Sequence, residues 1–236
     1  FETSFSWQET QKRAETIACY LQGSGISIGA SVAIAAPNGA AASFAFLGVV
    51  YGGYRATPLN LVAGIKTLAF VLNHSKAEVI LCADDSRALV DEAIATLIET
   101  GEQAPRIIPM DVDNGPRWAE TDIIPVEPGD LTEPTTDTIG LLMYTSGTTG
   151  VPKGVLLSHA NLIAAGTNVA VAHELTPADT SMCVLPIYHI NGLCVTVMGS
   201  VVSSSGLVMP RRFSARHFWA QMNKYKCSWF SAVPTL

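Results

Sequence analysis

Apolar positions along the chain change period repeatedly, and each change marks an element. In "FSWQETQKRAETIACYLQGSG", Ala14, Ile17, Ala18 and Leu21 recur at helical spacing. Ser6 with Glu9 reads as a capping box, in which each side chain satisfies an orphan amide of the first turn, and Gly23 is placed to stop the helix. "SVAIAA" follows as a short apolar strand, and Pro37-Asn38-Gly39 turns the chain into a second helix through Phe44, Leu47 and Tyr51. "IKTLAFVLNH" then reads as helix, "EVILCA" as strand, "DDSRALVDEAIATLIET" as helix and "RIIPM" as strand.

Residues 111–137 interrupt this rhythm with acidic side chains and Pro116, Pro125, Pro128 and Pro134, the composition of a connection. Beyond it come a strand "TIGLLMYT", a strand "GVLLS" and a helix from His159 capped by Ser158. A strand "SMCVLP", a helix from about Asn191, a strand "GLVMP", a helix from Ser214 to Tyr225 and a final strand in "CSWFSAVPTL" complete the series. Alternation of this kind predicts an α/β fold, with mostly parallel sheets covered by helices. The expected organisation is a first α/β portion over 1–110, the connection over 111–137, and a second α/β portion over 138–236.

Composition narrows the class. With 48% hydrophobic and 14% charged residues, the chain favours a packed interior over disorder. A net charge of −6 without a basic tract leaves no footprint for nucleic acid. The five cysteines form no C-x-x-C pair and sit mostly in apolar runs, so buried free thiols in a reducing, cytoplasmic setting are expected. Neither apolar stretch reads as a transmembrane span: Ala40–Tyr54 is too short, and Gly192–Met209 is interrupted by Ser200, Ser203, Ser204, Ser205 and Gly206.

The stretch "YTSGTTGVPKG", Tyr144 to Gly154, carries the candidate chemistry. Gly147 and Gly150 let backbone amides approach a ligand, and successive amides in such a loop form a nest for anionic oxygens. Thr145, Ser146, Thr148 and Thr149 add hydroxyls, and Lys153 adds a positive charge. A loop after a buried strand lies at the strand's carboxyl end, where open α/β sheets bind ligands. The residues therefore point to a polyphosphate cradle. The spacing G-x-x-x-x-G-K-[ST] of a P-loop is not matched, because Pro152 precedes Lys153 and Gly154 follows it.

"YTSGTTGVPKG" resembles the signature of the acyl-adenylate-forming superfamily: acyl- and aryl-CoA synthetases, luciferases and the adenylation domains of peptide synthetases. "GISIGASVAIAAPN", "GGYRATPLN" and "LSHANL" are also similar to family segments, so the resemblance covers essentially the whole chain. Ala30 departs from it, standing at a turn where many relatives carry Asp.

The resemblance implies activation of a carboxylic acid by ATP and Mg²⁺ to an acyl-AMP, followed by transfer to a thiol such as coenzyme A. It implies that Lys153 and the loop Ser146–Gly150 hold the β- and γ-phosphates, with Thr145 toward Mg²⁺. "LPIYHINGL" resembles the segment lining the acyl pocket, which places His189 beside the carboxylate, with Asn191 and Gly192 lining the pocket and Gly192 leaving space for the acyl chain. Val184–Leu193 lacks an acid to pair with an ammonium group, which favours a fatty, aryl or small organic acid over an amino acid. The remaining histidines, His74, His159, His173 and His217, lack partners at metal-ligand spacing and read as capping or surface groups.

The family's later Y-G-x-T-E-type segment, ribose-binding aspartate and C-terminal lysine domain have no counterpart in these residues. The chain is therefore expected to be the front of an incomplete large N-terminal domain, inactive alone and partnered by the rest of the same enzyme. The alternative is a self-contained module that binds nucleotide phosphates or a partner without catalysis. CoA ligation and luciferase-like oxidation share the first step and are not separated by these residues.

Overall fold

The computed structural model describes residues 2–111, 114–118, 124–145 and 151–234. The chain divides into two compact units, residues 1–36 with 40–159 and residues 37–39 with 160–236. The first unit thus extends through the Pro-rich connection to His159, because the strands on either side of that connection belong to one sheet.

Helix α1, Trp7–Gly23, opens on the expected capping box: Glu9 N–H donates to Ser6 Oγ at 3.2 Å, and Ser6 N–H donates to Glu9 Oε2 at 2.7 Å. The Ser6 amide and, at 2.8 Å, the Ser6 hydroxyl both donate to Glu9 Oε2 and hold its carboxyl below the usual carboxylate range. Strands β1 (Ser31–Ala35), β2 (Arg55–Pro58), β3 (Ala77–Ala83), β4 (Arg106–Asp111), β5 (Gly115–Pro116), β6 (Ile139–Thr145) and β7 (Lys153–Ser158) form a sheet ordered β5-β4-β3-β1-β2-β6-β7. Pairing is parallel from β4 through β6, and the edge strands β5 and β7 are antiparallel to their neighbours.

All five residues of β1 are buried, so both sheet faces are covered there. On one face Ala33 and Ala35 of β1 and Ile80 and Cys82 of β3 pack against α3 (Ile65–Ser75) and α4 (Arg87–Glu99). Alternation along a strand leaves Val32, Ile34, Val79 and Leu81 for the other face. There α2 (Ala40–Tyr51) lies against β1, β2 and β6 and packs on α1. Gly48 permits that helix contact, since a Cβ on it would lie 2.6 Å from Ile17 Cβ and 2.9 Å from the Ala14 carbonyl oxygen.

In the second unit, β8 (Thr180–Met182) lies between β9 (Gly206–Val208) and β10 (Trp229–Phe230), all parallel. Helix α5 (His159–Ala172) enters this unit from His159. A π-helical segment Asn191–Val197 runs into α6 (Met198–Ser203), and α7 (Ala215–Lys224) follows. Ser214 stands at the N-cap of α7, but its hydroxyl meets His217 Nδ1 at 3.0 Å rather than a backbone amide. The strands expected across "SMCVLP" and "CSWFSAVPTL" shrink to Thr180–Met182 and Trp229–Phe230.

The placement of α4 sets a contrast between two isoleucines. Ile80, fully buried under it, should cost about 2–5 kcal/mol on substitution by Ala. Ile98, 59% exposed on its far side, should cost less than about 0.5 kcal/mol, both read by denaturant unfolding. Equal costs would contradict this packing.

Candidate functional site

Strand β6 runs parallel to β2 through the interior, and its carboxyl end carries the glycine-rich motif. There the chain returns as β7, with Thr145 and Lys153 as the last facing pair of the ladder. Thr145 Oγ lies 3.5 Å from the Lys153 carbonyl oxygen, and both residues are exposed. Ser146, Gly147, Thr148, Thr149 and Gly150 lie outside the described residues. The hairpin fixes what flanks them: one hydroxyl and one cationic side chain facing each other across the loop's mouth.

Behind that mouth, Tyr144 faces Gly154 across the ladder. A Cβ at Gly154 would lie 2.9 Å from Leu142 Cδ1 and 3.5 Å from Tyr144 Cε1, so the motif's last glycine admits these two side chains. The Tyr144 hydroxyl meets His74 Nδ1, at the end of α3, at 2.7 Å, and the His74 ring stacks on Phe70. Burial pushes the Tyr144 phenol up to about 12, against the opposing pull of Arg55.

The other predicted residues belong to the second unit. Past β8 one further main-chain bond continues toward β9, and a side chain then takes over. Cys183 N–H donates to the Val208 carbonyl at 2.8 Å. The Asn38 carboxamide donates to the Leu185 carbonyl at 2.9 Å and accepts from Ile187 N–H at 3.0 Å. A turn follows in which His189 N–H donates to the Pro186 carbonyl at 3.0 Å, presenting Tyr188 and His189 with ring centres 4.6 Å apart. His189 reaches solvent, yet the protein around its ring disfavours the imidazolium and lowers its pKa; half-buried His159 is lowered in the same way. Asn191 Oδ1 is a buried atom with no hydrogen-bond partner.

Gly192 requires a correction. Its absent side chain was expected to leave room for an acyl chain, but a Cβ there would collide with the Pro186 carbonyl oxygen and lie 2.6 Å from that of Leu185. The glycine makes room for the protein's own backbone and lets the π-helical segment close onto the preceding turn. Cys183, whose thiol burial pushes up to about 12, bridges the same contact by donating to the carbonyls of Leu185 and Gly192.

Thr145 and Lys153 therefore come together in the first unit, and His189, Asn191 and Gly192 in the second. The contacts of Tyr144, His74 and Asn38 did not stand out in the sequence. Tyr144 heads the motif, but His74 lies 70 residues before it, and no local pattern links them. Among the described residues no three His, Cys, Asp or Glu side chains are grouped to hold a metal. Thr145 offers one neutral oxygen, which fits Mg²⁺ only in company with phosphate oxygens and water. No helix among the described residues is long and apolar enough to cross a membrane.

Comparison with known proteins places the fold in a family. The profile of the AMP-binding enzyme family matches residues 1–236. Sulfoacetate–CoA ligase of Cupriavidus necator is 39% identical over 215 residues, covering 90% of this chain and 41% of the relative. Oxalate–CoA ligase of Arabidopsis thaliana is 31% identical over 214 residues, with 90% and 41% coverage. The chain thus spans about 41% of the length of these relatives. Among solved structures, ATP-bound MatB from Rhodopseudomonas palustris superposes with a TM-score of 0.82 at 23% identity, over 97% of this chain and 44% of that one. The Bacillus subtilis o-succinylbenzoate CoA synthetase with its acyl-adenylate gives 0.81 at 24% identity, over 99% and 57%.

The Gly192 contact predicts that Gly192→Ala lowers unfolding free energy by about 1–3 kcal/mol, since neither carbonyl can retreat. Unchanged stability would restore the pocket reading. In an NMR titration, His159 and His189 should stay neutral to lower pH than a free imidazole. Below the ordinary histidine value of about 6.5 the folded state then binds fewer protons than the unfolded chain, so stability falls as pH drops through and below that value. Midpoints at or above the ordinary value would contradict this.

Proposed function

The chain belongs to the AMP-binding enzyme family, and on that premise we propose that it is the front part of an ATP-dependent carboxylic acid–CoA ligase. The observation that carries this reading is the Thr145–Lys153 pair, which closes a glycine- and hydroxyl-rich loop at the carboxyl end of a buried strand. In the proposed first step a carboxylate oxygen attacks the α-phosphorus of ATP, forming an acyl-AMP and expelling pyrophosphate. Charge accumulates on the leaving phosphates, where Lys153 and the amides and hydroxyls of Ser146–Gly150 offset it. Thr145 would supply one hydroxyl to Mg²⁺ brought with the nucleotide, which would offset phosphate charge. Coenzyme A thiol then attacks the acyl carbon, AMP leaves, and the thiol proton is lost.

The second unit supplies part of the acid site through His189 and Asn191. Val184–Leu193 has no carboxylate to pair with an ammonium group, and the relatives act on sulfoacetate and oxalate, so a small organic acid is the substrate we assign. All five cysteines are free thiols, which suits a reducing, cytoplasmic setting. Because the chain spans 41% of these relatives, its activity is proposed to need the remainder of the enzyme.

The test is acid-stimulated ATP–pyrophosphate exchange with a panel of small mono- and diacids. The full-length enzyme should show exchange, the 236-residue chain alone should show none, and Lys153→Ala in the full-length enzyme should lose about a hundredfold or more. An active 236-residue chain would refute the need for the remainder. A full-length enzyme inert toward every acid would refute the ligase reading.

A further inference from the structure

We propose that Asn38 is a positioning residue for the carboxylic acid site, acting through the main chain that presents His189. The proposal rests on the ligase reading above. Asn38 leaves the end of β1, yet Pro37–Gly39 is part of the second compact unit. Its side chain is buried, 8% exposed, and both ends of the carboxamide are used. The amide nitrogen gives a hydrogen to Leu185 and the amide oxygen takes one from Ile187, which is how a neighbouring strand would engage alternate residues. Here a side chain does it, past the end of β8 at Met182.

The geometry concentrates on one short span. Leu185 and Ile187 are buried, Pro186 accepts the amide hydrogen of His189, and the carbonyls of Leu185 and Pro186 abut Gly192. The carbonyl that Asn38 holds is thus the one against which the π-helical segment rests. Releasing it frees a buried carbonyl and a buried amide to seek other partners, and the exposed turn that follows is the part able to move. Asn38 touches neither acid nor nucleotide in this scheme. Its effect should therefore appear in acid binding and leave ATP binding alone.

The experiment compares wild type, Asn38→Ala and Asn38→Asp in the full-length enzyme by ATP–pyrophosphate exchange, varying acid and ATP separately. Asp keeps an acceptor for Ile187 N–H and loses the donor to Leu185. Thr57→Val serves as the control, since it removes a buried hydroxyl contact, Ser31 Oγ to Thr57 Oγ at 3.0 Å, in the other unit. Asn38→Ala should raise KM for the acid about tenfold or more with ATP KM nearly unchanged, the signature of lost binding at one substrate. Asn38→Asp, which sets a carboxylate oxygen against the Leu185 carbonyl, should raise acid KM at least as much as Ala. Thr57→Val, destabilised to a similar melting temperature, should move neither KM. Unchanged acid KM, or equal rises for both substrates, overturns the proposal.

Hydrogen exchange on the same proteins separates this failure from failure of the ligase reading. Asn38→Ala should speed exchange of the Ile187 amide and of 188–192 about tenfold, the change expected for one lost hydrogen bond, with other protected amides unaffected. If wild type shows no acid-dependent exchange of pyrophosphate, the ligase reading falls and with it the acid-site role. Uniformly faster hydrogen exchange would show a general structural role and overturn the positioning claim.

Discussion

Burial of β1 from both faces is the constraint on which the first unit depends. Every residue of Ser31–Ala35 is shielded, so its backbone donors and acceptors need strands on both sides, and β2 and β3 provide them in parallel. Parallel neighbours require crossovers, and α2 and α3 serve as those crossovers while covering opposite faces. The arrangement leaves the carboxyl ends of the strands free for loops. The loop after β6 holds the glycine-rich motif, so strand direction sets the sheet end at which it lies.

Much of this was legible because local patterns and tertiary demands agree. The capping box at Ser6 and Glu9, the apolar spacing of α1 and the runs of β1 and β3 each appear where the residues point. β2 was not legible. Its four residues, Arg-Ala-Thr-Pro, have no strand-like run, and they are a strand only because β1 and β6 flank them. The direction of β7 was hidden for a related reason: an apolar run does not state whether it pairs parallel or antiparallel. A motif loop short enough to close a hairpin decides it.

The site was legible in its residue types and less so in its contacts. "YTSGTTGVPKG" has the residue types expected of an anion-binding loop, yet it does not reveal that Gly154 accommodates Tyr144 and Leu142. Likewise Gly192 looks like a space-making residue, and the space it makes is filled by the carbonyls of Leu185 and Pro186. Single-sequence reasoning recognises a glycine's permissiveness and cannot see what occupies the vacated volume. The His74–Tyr144 and Asn38–Leu185 hydrogen bonds escape it for the same reason, with separations of 70 and 147 residues.

The proposed chemistry also accounts for where charge is placed and where it is withheld. Adenylation brings a carboxylate toward a polyanion, so some cation must intervene. A cation beside the carboxylate would stabilise the nucleophile in its ground state as much as it eased the approach, and uniform stabilisation does not accelerate the step. A cation beside the leaving phosphates acts where negative charge grows as pyrophosphate departs. On the proposed reading the chain follows the second arrangement. Lys153 faces Thr145 at the mouth of the phosphate-type loop, while the histidine assigned to the acid side is held toward its neutral form. A neutral imidazole can orient a carboxylate by hydrogen bonding without quenching it, and the absence of any charged side chain from Val184 to Leu193 is in keeping with that role.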